Sequence, residues 1–125
     1  MWQWPHFSRD EMACRGTGLC EMSSEFMDKL ERLREAYGKP MIVTSGYRAP
    51  EYNEKVSKTG RSGPHTTGHA VDIGVSGEDA LRLLQVAFMF GFSGYGIKQI
   101  GNARFIHLDD LPNSPGCPRP HIWSY

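Results

Sequence analysis

The stretch SGPHTTGHAVDI, residues 62–73, constrains the fold more than any other part of the sequence. It sets His65 and Asp72 seven positions apart, with a glycine between them that allows a sharp turn. The residues after the turn are predicted to form a short strand, with Asp72 on one face and Val71 and Ile73 on the other. A histidine in a loop can therefore fold back over an aspartate on a strand.

Imidazole and carboxylate are both zinc ligands, and a catalytic zinc site uses three protein ligands and keeps a fourth position open for water. The third ligand is predicted in the run RFIHLDD, residues 104–110, where His107 and Asp109 share one face of a second strand. The sequence therefore predicts a zinc site made by His65, Asp72 and His107.

With these motifs the chain resembles the M15 zinc peptidases of bacterial cell walls. The resemblance rests on SGYR at 45–48, on His-x-x-Gly-x-Ala-x-Asp at 65–72, and on FIHLD at 105–109, and it extends over nearly the whole chain. It is strongest to the branch with D-Ala-D-Ala carboxypeptidases and small murein peptidases, whose fold the Hedgehog signalling domain shares. The resemblance implies an α+β fold, a small antiparallel sheet with helices packed on it, and one zinc ion per chain. It also implies hydrolysis of peptide bonds in peptidoglycan stem peptides or cross-links, by carboxypeptidase or endopeptidase action.

The resemblance also implies roles for two further side chains. Arg48 is expected to point into the cleft, where its guanidinium would bind a substrate carboxylate or a developing oxyanion. Related enzymes carry the general base shortly before the third ligand, but this chain has Arg104 and Phe105 there, and neither can accept a proton. Asp109 is predicted as the base instead, with the alternative that it only orients His107.

The remaining histidines and the cysteines are predicted to lie outside the metal site. His69 is interpreted as structural, and His121 as a surface residue or a neighbour of the ligands. The cysteines at 14, 20 and 117 are odd in number, and the first two are too far apart for a usual zinc knuckle. They could form a disulfide, but free thiols are favoured because no secretion signal is recognisable.

Charge and hydropathy narrow the function classes. The chain has 14 basic and 14 acidic residues, so its net charge of zero argues against nucleic-acid binding. No apolar run is long enough to span a membrane, and the N-terminus lacks the regions of a signal peptide. The length of 125 residues predicts a single domain over 1–125, which we expect to be a monomer. Because no signal peptide is recognisable, we expect the protein to be made in the cytoplasm. It would reach the cell wall after lysis, through a holin-type pore or in a virion, which is compatible with a phage or prophage origin.

The pattern of helices and strands favours an α+β fold, because the two do not alternate regularly. One helix is predicted from the serines at 23–24 to Tyr37. A second is predicted to open at residues 78–79 and to be largely buried, with Leu81 and Phe88 among its apolar residues. Strands are predicted near 41–44, 94–100 and 104–109, and the proline-rich tail is predicted to be coil.

Two other functions stay open from the sequence. One is a catalytically silent, zinc-stabilised module that binds the cell wall or forms part of a virion, and the missing base before His107 keeps this alternative open. The other is a Hedgehog-like extracellular ligand, which the missing secretion signal disfavours.

Overall fold

The computed structural model describes residues 2–125, in which helices pack on a five-stranded sheet. The predicted α+β fold is confirmed, since helices and strands follow one another without regular alternation. The helices are α1 (Arg9–Met12), α2 (Ser24–Tyr37), α3 (Pro50–Val56) and α4 (Gly77–Ala87), with a 3-10 helix at Pro64–Thr67. The strands are β1 (Ile42–Ser45), β2 (Ala70–Gly74), β3 (Gly94–Lys98), β4 (Phe105–Asp109) and β5 (His121–Ser124).

The sheet has the strand order β1-β2-β4-β3-β5, with β4 at its centre. The first four strands pair antiparallel, as predicted, whereas β5 runs parallel to β3. Side chains alternate between the two faces of a strand. In β4 this alternation sends Ile106 and Leu108 into the hydrophobic core and His107 and Asp109 to the opposite face.

Helix α2 has the boundaries that its capping residues predict. Ser23 is the N-cap, and its side chain accepts a hydrogen bond from the backbone N–H of Phe26. Gly38 ends the helix in the left-handed conformation that glycine adopts without a steric penalty. The buried face of α2 includes Leu30 and Leu33, so this helix covers the core side of the sheet.

Helix α4 differs from the prediction that it is largely buried. It ends at Ala87, and its core-facing side consists of Ala80, Leu83, Val86 and Ala87. Leu81 and Phe88 are 60% and 59% exposed, so the prediction of their burial was wrong. A helix that packs on one side of a sheet buries one stripe of its surface, and these two residues lie outside that stripe.

The tail also differs from the prediction, because it is not coil throughout. After the prolines it forms β5, whose residues His121 and Trp123 lie beside Gly94 and Gly96 of β3. This strand adds an edge to the sheet close to the predicted metal ligands. Its formation depends on a partner strand far away in the chain, which the local sequence does not reveal.

Two simpler expectations agree with the structure. The cysteines at positions 14, 20 and 117 are all free thiols. Among the described residues, no helix has both the length and the apolar character needed to cross a membrane.

Candidate metal centre

The strand register brings the predicted ligands together. Asp72 of β2 and His107 of β4 lie directly opposite each other in the antiparallel ladder. His65 comes from the 3-10 helix that precedes β2 and reaches back over the same face of the sheet. Their ligand atoms all lie within 4.8 Å of one another, and all three residues are buried. This is the one group of three such residues that could hold a metal ion among residues 2–125.

Gly68 makes the reversal between His65 and β2 possible. It ends the 3-10 helix with a φ of +79°, in the left-handed region that favours glycine. A Cβ at this position would also lie 2.1 Å from the backbone oxygen of Glu21, closer than two atoms can approach. The glycine in the metal motif is therefore required both by the backbone conformation and by the neighbouring chain.

Hydrogen bonds to the outer ring nitrogens define which nitrogen of each histidine faces the centre. Nδ1 of His65 lies 2.8 Å from the backbone oxygen of Gly46, which can only accept, so Nδ1 carries the proton. Nε2 of His107 lies 2.7 Å from Oδ2 of Asp109, so it donates to that carboxylate. The other two nitrogens, Nε2 of His65 and Nδ1 of His107, lie 3.2 Å and 3.0 Å from Oδ1 of Asp72.

This arrangement points three electron-pair donors at one place. Neutral imidazoles with these tautomers would direct two lone pairs at an ionised carboxylate, which is repulsive unless positive charge lies between them. Either both rings carry a second proton or a metal ion takes that place. Tetrahedral zinc with bonds of about 2.0–2.1 Å would put its ligand atoms about 3.3 Å apart, which is close to the two separations of 3.2 Å and 3.0 Å between the histidine nitrogens and Oδ1 of Asp72. The donor set and its spacing therefore fit zinc.

The charges in the group shift its pKa values in the directions expected for such a cluster. Burial of Asp72 opposes its ionisation, but His65 and His107 outweigh burial and lower the pKa of Asp72 well below its usual range. Burial likewise lowers the pKa of His107, and hydrogen bonds from its ring to Asp109 and Asp72 outweigh this and raise it. The two carboxylates thus favour positive charge at the ring of His107, and a metal ion bound there would replace a ring proton.

Asp109, the sequence-predicted base, lies behind His107. Its carboxylate is fully buried and is bound by Arg119, whose Nε is 2.9 Å from Oδ1 and whose Nη2 is 2.7 Å from Oδ2. Burial raises the pKa of Asp109, but His107 and Arg119 outweigh it and lower the value to about 2. A carboxylate with both oxygens engaged is better suited to orienting His107 than to accepting a proton.

The sequence analysis did not identify four residues that support this carboxylate and the ring of His107. These residues are Gly94, Gly96, Arg119 and Trp123. A Cβ on Gly94 would lie 2.3–2.5 Å from the carboxylate atoms of Asp109, and one on Gly96 would lie 2.7–2.9 Å from the indole of Trp123. The indole lies with its centroid 5.1 Å from that of the His107 ring. Two alternate glycines inside a strand are the sequence signal for such a close approach.

Arg48 lies at the edge of the centre. One of its nitrogens, Nη2, lies 3.8 Å from Oδ2 of Asp72. Its guanidinium is held by Nε donating to the hydroxyl of Ser45 at 3.0 Å and Nη1 donating to Oδ1 of Asn53 at 3.1 Å. Asn53 is itself buried and donates to Thr59 in the loop before the metal motif. The arginine is therefore fixed at the cleft by a network of side chains.

The three predicted ligands line a cleft with a volume of about 370 Å³. A second groove of about 700 Å³ adjoins it, and the two share Thr59, Pro64 and Trp123 in their walls. The metal-side cleft is lined by Arg48, Val56, Ser57, Thr59, Pro64, His65, Asp72, Phe105, His107, Trp123 and Tyr125. A peptide segment longer than the metal-side cleft has room to continue into the adjoining groove.

His69 and His121, which the sequence analysis placed outside the metal site, are not part of the ligand group. Nδ1 of His69 donates to Oδ1 of Asp110 at 2.8 Å, and Asp110 also pairs with Lys29. His121 lies in β5, and its ring stacks against that of Trp123, with the ring centroids 5.6 Å apart. Neither residue belongs to the group that could hold a metal.

The chain matches the model of a known protein family. The family model described as Peptidase M15 matches residues 5–109. A search of curated proteins found no match. The matched segment includes every predicted metal ligand and ends at Asp109, so Arg119 and β5 lie beyond it.

Proposed function

The chain belongs to the M15 peptidase family, and we propose that it is a zinc-dependent peptidase that hydrolyses peptide bonds in peptidoglycan. One observation carries the proposal: two imidazole nitrogens and a carboxylate oxygen converge at a cleft within 4.8 Å of one another, and both nitrogens lie at zinc-ligand spacing from the carboxylate oxygen. Such a site with three protein ligands, reached from a cleft, is the arrangement of catalytic rather than structural zinc.

In this proposal Asp72, His65 and His107 hold the metal. A zinc ion bound there would supply Lewis-acid chemistry, polarising a substrate carbonyl and lowering the pKa of a water molecule from 15.7 to about 7. His65 would bind through Nε2, because its Nδ1 proton is committed to a backbone oxygen. His107 would bind through Nδ1, because its Nε2 proton is committed to Asp109.

Arg48 is the proposed contact for substrate charge. Its guanidinium lines the same cleft as the ligands and is held in place by Ser45 and Asn53. A fixed cation at this position can bind a carbonyl oxygen as negative charge develops on it, or a carboxylate of the substrate. Because its position is set before substrate arrives, this stabilisation costs little reorganisation.

For Asp109 we propose the orienting role, in preference to that of general base. Its carboxylate faces His107 and Arg119, and it is not among the residues that line the cleft. Accepting a proton from a water molecule in the cleft would require the side chain to break these bonds. The alternative, in which Asp109 acts as the base, remains a prediction with a distinct kinetic signature.

The proposed substrates are the stem peptides or cross-links of peptidoglycan, cut at a bond that involves a D-amino acid. The resemblance to murein peptidases supports this class, and the open groove beside the metal-side cleft offers space for a branched peptide. Delivery to the wall after lysis, through a holin-type pore or in a virion belongs to the same proposal.

Digestion of purified sacculi tests this function. The zinc-loaded protein should release muropeptides whose masses identify the bond that is cut, and the chelator-treated protein should release none. His65→Ala should abolish release, whereas the matched variant His69→Ala should retain it. Release that persists in His65→Ala would contradict the proposed centre.

A second function is favoured by one specific observation. Among the described residues that line the metal-side cleft, Asp72 is the one with a carboxylate side chain, so no second carboxylate side chain lines the cleft as a base. A zinc-stabilised module without turnover, binding the wall or built into a virion, would need none. Zinc binding and cosedimentation with sacculi, without any released muropeptide from several peptidoglycan types, would support this alternative.

A further inference from the structure

A buried ionic chain extends from the metal centre into the tail. Nε2 of His107 donates to Asp109, and Asp109 is bound through both oxygens by the guanidinium of Arg119. The side chains of His107, Asp109 and Arg119 are 2%, 0% and 6% exposed. A fully buried carboxylate is stable only when it is paired and hydrogen-bonded, so Asp109 depends on Arg119 for its charged form.

The tail holds Arg119 in this position. Its backbone N–H donates to the side chain of Asn113 at 3.0 Å, and its Nη1 donates to the backbone oxygen of Pro118 at 2.8 Å. Its guanidinium also lies over the indole of Trp123, 5.1 Å from the ring centroid. Arginine suits this site because its planar fork matches the two oxygens of a carboxylate, which a lysine ammonium cannot do.

We infer that Arg119 is a positioning residue of the metal centre: it fixes Asp109, which in turn fixes the ring of His107 with Nδ1 toward the metal. The inference rests on the proposed zinc centre and goes beyond it, since Arg119 lies outside the segment that matches the family. The tail is then part of the metal-binding unit rather than a covering over it. Loss of Arg119 leaves Asp109 without its counter-charge, and the ring of His107 loses its fixed partner.

The test measures zinc affinity by competition with a chromogenic chelator, so that it does not depend on turnover. Arg119→Gln should weaken zinc binding by roughly 10–100-fold, the usual effect of removing a group that orients a metal ligand. Arg119→Lys should recover part of the loss, since it restores the charge without the fork. The control is Arg104→Gln, which removes an exposed arginine next to β4 whose guanidinium donates to the backbone oxygen of Gly101. This variant should bind zinc as tightly as the unsubstituted protein.

A second measurement separates a positioning role from a general effect on folding. If Arg119 acts through Asp109, then adding Arg119→Gln to Asp109→Asn should cause little further loss of zinc affinity. The visible absorption of the cobalt-loaded protein should change in Arg119→Gln and stay the same in Arg104→Gln, because it reports ligand geometry.

Each outcome supports or overturns the inference. Unchanged zinc affinity in Arg119→Gln, or an equal loss with and without Asp109→Asn, overturns the role of Arg119 and leaves the proposed function intact. Absence of zinc binding in the unsubstituted protein overturns the proposed centre itself, and the inference with it.

Discussion

Replacing Gly94 with alanine is the sharpest single test of how the metal centre is supported. Gly94 of β3 lies opposite Asp109 of β4, and a Cβ there would lie 2.3 Å from Oδ1 and 2.4 Å from Oδ2 of that carboxylate. To reach even a 3.0 Å separation the carboxylate must move by about 0.7 Å. Its bonds of 2.7 Å to His107 and to Arg119 leave no room for such a shift without breaking.

The loss of unfolding free energy in Gly94→Ala depends on whether small shifts absorb the added methyl group or the Asp109 carboxylate is displaced from Arg119. Overpacking that is absorbed by small shifts costs about 1–3 kcal/mol, and the reduced freedom of the unfolded chain returns about 0.4–1 kcal/mol. If the carboxylate is displaced from Arg119, the cost of breaking a buried ion pair, about 3–5 kcal/mol, applies instead. Because Asp109 is fully buried and bound on both oxygens, we expect the second response and a net loss of about 2–4 kcal/mol.

Thermal unfolding and chelator competition measure the two consequences. For a chain of this length, a loss of about 3 kcal/mol should lower Tm by roughly 10 °C. Zinc affinity should fall as well, since the orienting bond to His107 is lost. Gly74→Ala is the matched control, because Gly74 lies in β2, on the other side of β4, and a Cβ there would have a methyl group of Thr44 as its nearest neighbour, at 3.0 Å. If the two alanine variants have equal Tm and equal zinc affinity, the conclusion that the Asp109 carboxylate needs a glycine at position 94 is refuted.

Three further predictions address the centre directly. Alanine at any of the three metal ligands should remove the one zinc ion per chain, whereas His69→Ala and His121→Ala should retain it; elemental analysis that finds full occupancy in His107→Ala would exclude that ligand. Arg48→Lys should lower kcat on muropeptides by the equivalent of about 2.7–4 kcal/mol with little change in Tm, and an unchanged kcat/KM would make Arg48 a structural residue. Asp109→Asn should weaken zinc binding by roughly 10–100-fold if the side chain orients its histidine. A loss of turnover by roughly 10²–10⁴-fold with zinc affinity intact would instead identify Asp109 as the base.

The parts of the fold that local sequence determines could be predicted. The boundaries of α2 follow from a serine before the helix and a glycine after it, both of which act within one turn. The alternation in β2 and β4 follows from apolar residues at every second position, and it correctly separated the core face from the polar face. The spacing of His65 and Asp72 indicated a shared site because a turn glycine lies between them.

The parts that depend on distant pairing could not be predicted. β5 follows a run of prolines that indicates coil, and it forms because β3 offers an edge for parallel pairing. Arg119 carries no local signal, since an arginine between two prolines is ordinarily a surface residue. Its role is defined only when the tail returns to the sheet beside Asp109. The alternate glycines of β3 were the one available signal, and they show where another chain segment approaches without showing which segment.

The register of the sheet explains how one face can carry so demanding a site. Neighbouring positions across the strands β2, β4, β3 and β5 are occupied by Asp72, His107, Gly96 and Trp123. The first two are proposed metal ligands. The glycine leaves space for the indole of Trp123, which lies beside the ring of His107. A slip of one residue between β2 and β4 would send His107 into the core and an aliphatic residue into the site. Burial of Ile106 and Leu108, the two aliphatic residues that such a slip of β4 would remove from the core, favours the correct register by on the order of 3–6 kcal/mol. The apolar face therefore aligns the strands. This alignment allows the opposite face to hold together the lone pairs of His65, Asp72 and His107, which repel one another unless a cation lies between them.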